Sequence, residues 1–194
     1  EILSGLVGSE MCIRDRTAYF SADAVKGLTP SQVSGVSGAA ALGSDAFGAI
    51  SPAALKVMTT ATIAALSSNS FAGITPAQVA QLTPDQAKVL TNNQISKLDS
   101  DDAASLNAAQ LTKWTPTQAS NLTVAAVAAI PADAIGKLAI GSFDVDHVKA
   151  LTNAQFLKLG TAQIASLNDS VIGSISSDQI QGVATLGSIA AASI

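Results

Sequence analysis

Between Ser51 and Leu138, apolar side chains return at the fifth and eighth places of every block of eight residues, while the first three places are mostly polar or small. The blocks SPAALKVM, TTATIAAL, SSNSFAGI, TPAQVAQL and TPDQAKVL open this run, and TVAAVAAI and PADAIGKL close it. After a five-residue insertion, Ala139 to Phe143, the pattern resumes at Asp144 with DVDHVKAL and continues to SSDQIQGV. Upstream, SADAVKGL, TPSQVSGV and GSDAFGAI obey it around a six-residue unit, Ser37 to Leu42, and a degraded copy occupies Thr185 to Ala192. Self-similarity at a fixed period is the mark of a repeat architecture.

The other positions say what each block folds into. Across nineteen clean octads, position 1 is Ser, Thr, Asp or Asn sixteen times, five of the six Pro stand at position 2, and nine of the eleven Gln stand at position 4. A Ser or Thr followed three residues later by Gln is a capping box: the hydroxyl accepts from the N3 amide and the Gln reaches back to the N-cap amide. Pro at position 2 is then the first helical residue, where its missing N–H costs nothing and its fixed φ suits the helix. The apolar residue at position 8 precedes the next N-cap and pairs with position 5 as a hydrophobic staple. Each octad therefore predicts its own helix of about five to seven residues.

Two rivals meet geometric objections. In one continuous helix, eight residues overshoot two turns by about 80°, so position 8 would spiral around the axis, and the recurrent Pro would break the hydrogen-bond ladder. In a β-solenoid, positions 5 and 8 would point to opposite faces of a strand, and Ala, Asp, Asn, Pro and Gln are poor strand residues. The β-solenoid stays as the alternative to an all-α solenoid, a superhelix of short helices with one per octad. A single octad cannot stand alone. Ordering it costs on the order of 10 kcal/mol, against about 3–6 kcal/mol from two buried aliphatics and about 1 kcal/mol from a cap. Neighbouring units must share a core. Positions 5 and 8 are expected to line that core and positions 3, 6 and 7 to face solvent. Gly at position 6 (Gly48, Gly136, Gly173) or 7 (Gly27, Gly35, Gly73, Gly182) is expected to ease the turn into the next cap.

Composition narrows the function classes. Of the 194 residues, 4% are aromatic and 12% charged, with a net charge of −4, so no clustered basic face exists to bind nucleic acid. The window from Lys56 to Asp85 carries no charge between its ends, but Pro76, Pro84, Asn69, Gln78 and Gln81 interrupt it, which argues against a membrane span. Every Arg, every Glu and the only Cys, Cys12, fall in the first sixteen residues. The string LVGSEMCIRDR, Leu6 to Arg16, resembles a translated sequencing-adapter fragment of the kind found at the ends of proteins from shotgun and metagenomic assemblies. Residues 1–16 are accordingly read as a non-native segment, and 17–194 as the octad array, expected to be a piece of a longer one.

Chemistry is sparse. His147 stands at position 4, where Gln usually sits, and reads as a substitute for the capping Gln. Asp99, Asp101 and Asp102 are the nearest approach to a cation site, but they lack the Gly and later Glu of a calcium loop, and Asp99 is an N-cap. Trp114 holds a core position and reads as packing rather than a sugar platform. Asn121-Leu122-Thr123 and Asn168-Asp169-Ser170 match a glycosylation acceptor inside the repeat. No acid, base and nucleophile can be assembled, so no catalytic, cofactor or metal residue is assigned and no enzyme is expected.

Units such as Thr-Pro-Ala-Gln-Val-Ala-Gln-Leu (75–82) resemble the repeat regions of very large exported bacterial proteins, the adhesin or haemagglutinin-like and RTX-type surface proteins. The glycine-rich calcium nonapeptide of the RTX kind is missing. The resemblance implies a spacer or adhesive segment of a secreted or cell-surface protein. Its partners would be neighbouring repeats and a host or cell-surface protein or glycan. A protein-binding α-solenoid scaffold is the alternative, recognisable by an exposed apolar or single-charge stripe at positions 3, 6 and 7.

Overall fold

The computed structural model describes residues 21–27 and 42–181. The adapter-like segment 1–16, Gly35, Gly182 and the degraded copy at 185–192 lie outside them. Among the described residues there are 18 short helices and no strand, so that part of the chain is all-α. The β alternative is not what the chain adopts there. In chain order the first nine helices are α1 Ala22–Lys26, α2 Ser44–Gly48, α3 Pro52–Lys56, α4 Thr60–Ala65, α5 Ser68–Phe71, α6 Pro76–Gln81, α7 Pro84–Lys88, α8 Asn92–Ile95 and α9 Ser100–Ala104. The rest are α10 Ala108–Leu111, α11 Pro116–Ala119, α12 Val124–Ala129, α13 Ala132–Ile135, α14 Val145–Ala150, α15 Asn153–Phe156, α16 Thr161–Ala165, α17 Asp169–Ile172 and α18 Ser177–Gln181.

Most helices begin because position 1 is extended and caps it, whereas Gly43, Pro131 and Gly160 lead their helices without a side-chain cap. Ser51, Thr59 and Ser67 accept from the amides of Ala54, Thr62 and Ser70 at 3.2, 3.1 and 3.0 Å. Full capping boxes join Thr75 to Gln78, Thr83 to Gln86, Thr91 to Gln94, Asn107 to Gln110, Thr115 to Gln118 and Thr152 to Gln155. From α2 to α17 each helix ends in a tightened turn, in which the position-8 amide donates back to the position-5 carbonyl: Met58 to Leu55 at 3.1 Å, Ile74 to Phe71 at 3.0 Å, Leu98 to Ile95 at 3.1 Å. The chain then leaves extended, with Leu66 at φ −58°, ψ 134° and Leu82 at φ −55°, ψ 128°.

Every described residue at position 8 is buried, and so is every one at position 5 except the half-buried Ile180. Position 3 is exposed in all described octads, and positions 6 and 7 are exposed or half-buried. Position 4 is a third interior row, which the two-row reading did not anticipate: Gln78, Gln86, Gln94, Gln110, Gln155 and Gln179 are all buried.

Helices pack on the third one along: α2 on α5, α3 on α6, α6 on α9, α7 on α10, α9 on α12 and α10 on α13. Across Ala139–Phe143 the interval drops to two, α12 on α14 and α13 on α15, and then returns to three, α14 on α17 and α15 on α18. This corrects the reading of those five residues as an insertion. Ile140 and Phe143 are buried, three apart like positions 5 and 8, and the Phe143 amide donates to the Ile140 carbonyl at 2.9 Å like any position-8 residue. They form the second half of an octad whose capping half is missing.

The glycines also depart from expectation. No described glycine has positive φ, so none serves as a left-handed turn. Gly48, Gly73 and Gly136 instead stand where backbones approach: a Cβ would fall 2.5 Å from the Gly73 carbonyl oxygen, 2.0 Å from that of Ser44 and 2.6 Å from that of Lys158, respectively. Beside the first two, the rings of Phe47 and Phe71 stack at 5.9 Å between centroids.

Candidate functional site

The most elaborate chemistry in the molecule is a ladder of position-4 glutamines. Gln94 shows the full arrangement: its Oε1 accepts from the Thr91 amide at 2.8 Å, while Nε2 donates to the carbonyls of Ile63 at 2.8 Å and Leu66 at 2.9 Å. Those carbonyls lie 31 and 28 residues earlier, at positions 5 and 8 of the fourth preceding octad. Gln78 binds Phe47 and Ile50 in the same way, Gln110 binds Val79 and Leu82, and Gln179 binds Val148 and Leu151. Past the half-octad the separations shorten to 28 and 25, with Gln155 on Val127 and Ile130 and Gln163 on Ile135 and Leu138. The last carbonyls of a short helix have no partner within it, and here a side chain from a later unit provides one.

The sequence carried a signal for this second role. A capping box accepts Glu as well as Gln, and the helix dipole favours the acid, yet no Glu occurs after Glu10. The glutamine amide accepts from the N-cap and donates to carbonyls at once, which an ionised Glu cannot do.

Trp114, the only tryptophan, is buried, and its indole N–H donates to the Ala87 carbonyl at 2.9 Å. It takes the position-5 carbonyl that other octads leave to the glutamine, while Gln118 binds Lys88 and Leu90. Trp114→Phe is expected to keep the packing and lose this bond, lowering stability by about 1 kcal/mol, read as a lower urea midpoint by circular dichroism.

His147 occupies the glutamine's place but bonds differently. Its Nε2 lies 2.9 Å from the Leu122 carbonyl, and its Nδ1 lies 2.6 Å from Asp144 Oδ1 rather than against the N-cap amide. The Asp144 carboxylate, which also accepts from the His147 backbone N–H at 2.9 Å, is held below the usual carboxylate range chiefly by that bond. The Asp99, Asp101 and Asp102 side chains do not converge. Asp99 caps α9, Asp101 faces solvent, and Asp102 is buried at position 4 with burial pushing its carboxyl up to about 6. Among the described residues no group of three or more His, Cys, Asp and Glu is placed to hold a metal ion, and no helix is long and apolar enough to cross a membrane. Of the acceptor asparagines, Asn168 is an N-cap, accepting from the Val171 amide at 3.0 Å, and Asn121 donates to the Thr117 carbonyl at 2.6 Å.

The outer surface is polar and dilute in charge. Lys158 and Asp133 pair across units at 2.6 Å, and the Lys158 hydrogen bond lowers the Asp133 carboxyl. The large exposed apolar side chains are Val57, Val124 and Leu157, at positions 7, 2 and 6 of separate octads.

No curated protein and no solved structure matches the chain. A family model described as the ALTTAQ repeat matches residues 47–84. Within that stretch Thr75, Pro76, Ala77 and Gln78 are the N-cap, the first two helical residues and the ladder glutamine. Residues 47–84 are thus a repeat region similar to the ALTTAQ repeat, and the glutamine that ends its six-letter name is the residue type that links one unit to another here.

Proposed function

We propose that the octads wind into a solenoid with between three and four units per turn, and that it serves as a spacer or adhesive segment of a secreted or cell-surface bacterial protein. Support for the winding comes from helices packed on their third successors and glutamines bonded to the fourth preceding octad. The observation that carries the spacer role is the distribution of side chains. Every aromatic ring among the described residues is buried, and position 3, exposed throughout, carries Ala, Asp, Asn, Ser and Thr. Such a surface offers reach and solubility and no aromatic platform for a glycan. The apolar stripe that a scaffold for binding proteins would show is not supported by Val57, Val124 and Leu157, which share no octad position.

The reading is tested by lengthening the array with further copies of residues 75–98 and measuring small-angle X-ray scattering. The maximum dimension is expected to grow in proportion to the added octads at constant cross-section. Growth as the cube root of mass would refute the solenoid. Antibody labelling of intact source cells tests the location, and labelling only after permeabilisation would refute surface display.

A further inference from the structure

We propose that Asp102 is a proton-operated link in the glutamine ladder, so that the array tightens as the surroundings turn mildly acidic. The glutamines at position 4 make their bonds at any ordinary pH. Asp102 occupies the same interior row.

Asp102 is 3% exposed; its Oδ2 accepts from the Asp99 amide at 3.4 Å, and its Oδ1 has no hydrogen-bond partner. The ladder's spacing of 31 and 28 residues assigns it the carbonyls of Phe71 and Ile74. A carboxylate has no hydrogen to give them, whereas a carboxylic acid has one. The charges near it are Asp99 and Asp101 on its own unit, both disfavouring ionisation, and the helices packed against α9, namely α6 and α12, contain no charged residue. Burial and these two neighbours bring its carboxyl to about 6. The folded value thus exceeds that of the unfolded chain, the folded state binds more protons, and stability rises as pH falls through that value.

Proton uptake therefore closes the link at Asp102.

The test compares the full chain with Asp102→Gln by thermal unfolding followed in circular dichroism. Glutamine is the commonest residue at this position, so the variant installs an ordinary rung. From pH 7 to pH 5 the Asp102 link is expected to raise the folding equilibrium constant about tenfold, a midpoint gain of about 3–5 °C. Asp102→Gln is expected to lose that rise and to be more stable at neutral pH than the original chain. NMR titration of the Asp102 carboxyl carbon in the original chain is expected to follow the same transition. An unchanged rise in Asp102→Gln, or no rise in the original chain, would overturn the proposal.

Discussion

Replacing Gln94 by Met is expected to lower the thermal midpoint by roughly 10 °C, far more than substitution of an exposed polar residue. Methionine matches the glutamine's length and keeps the site filled, so the loss reports hydrogen bonds and not a cavity. Three backbone groups depend on that side chain: the Thr91 amide and the carbonyls of Ile63 and Leu66. The site is fully buried, and stranding buried polar groups costs about 1–3 kcal/mol each. The carbonyl of Ile63 keeps a weaker bond from the Leu66 amide at 3.3 Å, which brings the total to about 4 kcal/mol. At an exposed position-3 residue such as Asn93, substitution by Ala is expected to leave the midpoint nearly unchanged. Equal effects at both places would show that the ladder contributes nothing.

Gly73→Ala is expected to cost about 3 kcal/mol or more, measured as a fall in the urea midpoint. The new Cβ would stand 2.0 Å from the Ser44 carbonyl oxygen and 2.8 Å from the Ser44 Cα. Ser44 begins α2 and Gly73 follows α5, two helices packed together with Phe47 and Phe71 stacked between them. Relief requires the helices to part and the rings to separate. Gly27→Ala is the control, since nothing lies within 4 Å of its Cβ position and its φ is −83°. Alanine there is expected to stabilise by about 0.4–1 kcal/mol by restricting the unfolded chain. If glycines at position 7 merely eased the turn, the two substitutions would act alike.

The contrast between local and non-local information explains what could be read from the sequence. The caps at Ser51, Thr59 and Thr75, the N1 prolines Pro52, Pro76 and Pro84, and the burial of positions 5 and 8 were legible because each involves residues within one octad or its immediate neighbour. The outer half of the glutamine's work left only an indirect trace, the absence of Glu after Glu10. A capping box already accounts for Gln78 and Gln94 within four residues, and nothing in the spacing points 28 residues away. Gly48 and Gly73 misled for the same reason, since a glycine near a helix end suggests a turn, whereas the constraint comes from another unit's backbone. The five residues from Ala139 were counted as surplus because the register was tracked from position 1. Tracked from Ile140 and Phe143, they align with every other unit. His147 was correctly placed in the glutamine row, but its pairing with Asp144 depends on ring geometry that spacing does not encode.

The half-octad at Ala139–Phe143 behaves like a dislocation in a crystal: part of one layer is missing, and the layers on either side close over the fault without losing order. What closure requires is a pair of interior residues three apart and a bridge from above, supplied here by Gln163, which reaches Leu138 on the near side of the fault. Insertions or deletions in lengths other than eight are therefore expected to be tolerated wherever such a pair survives, so that arrays of this kind can diverge in register as well as in length.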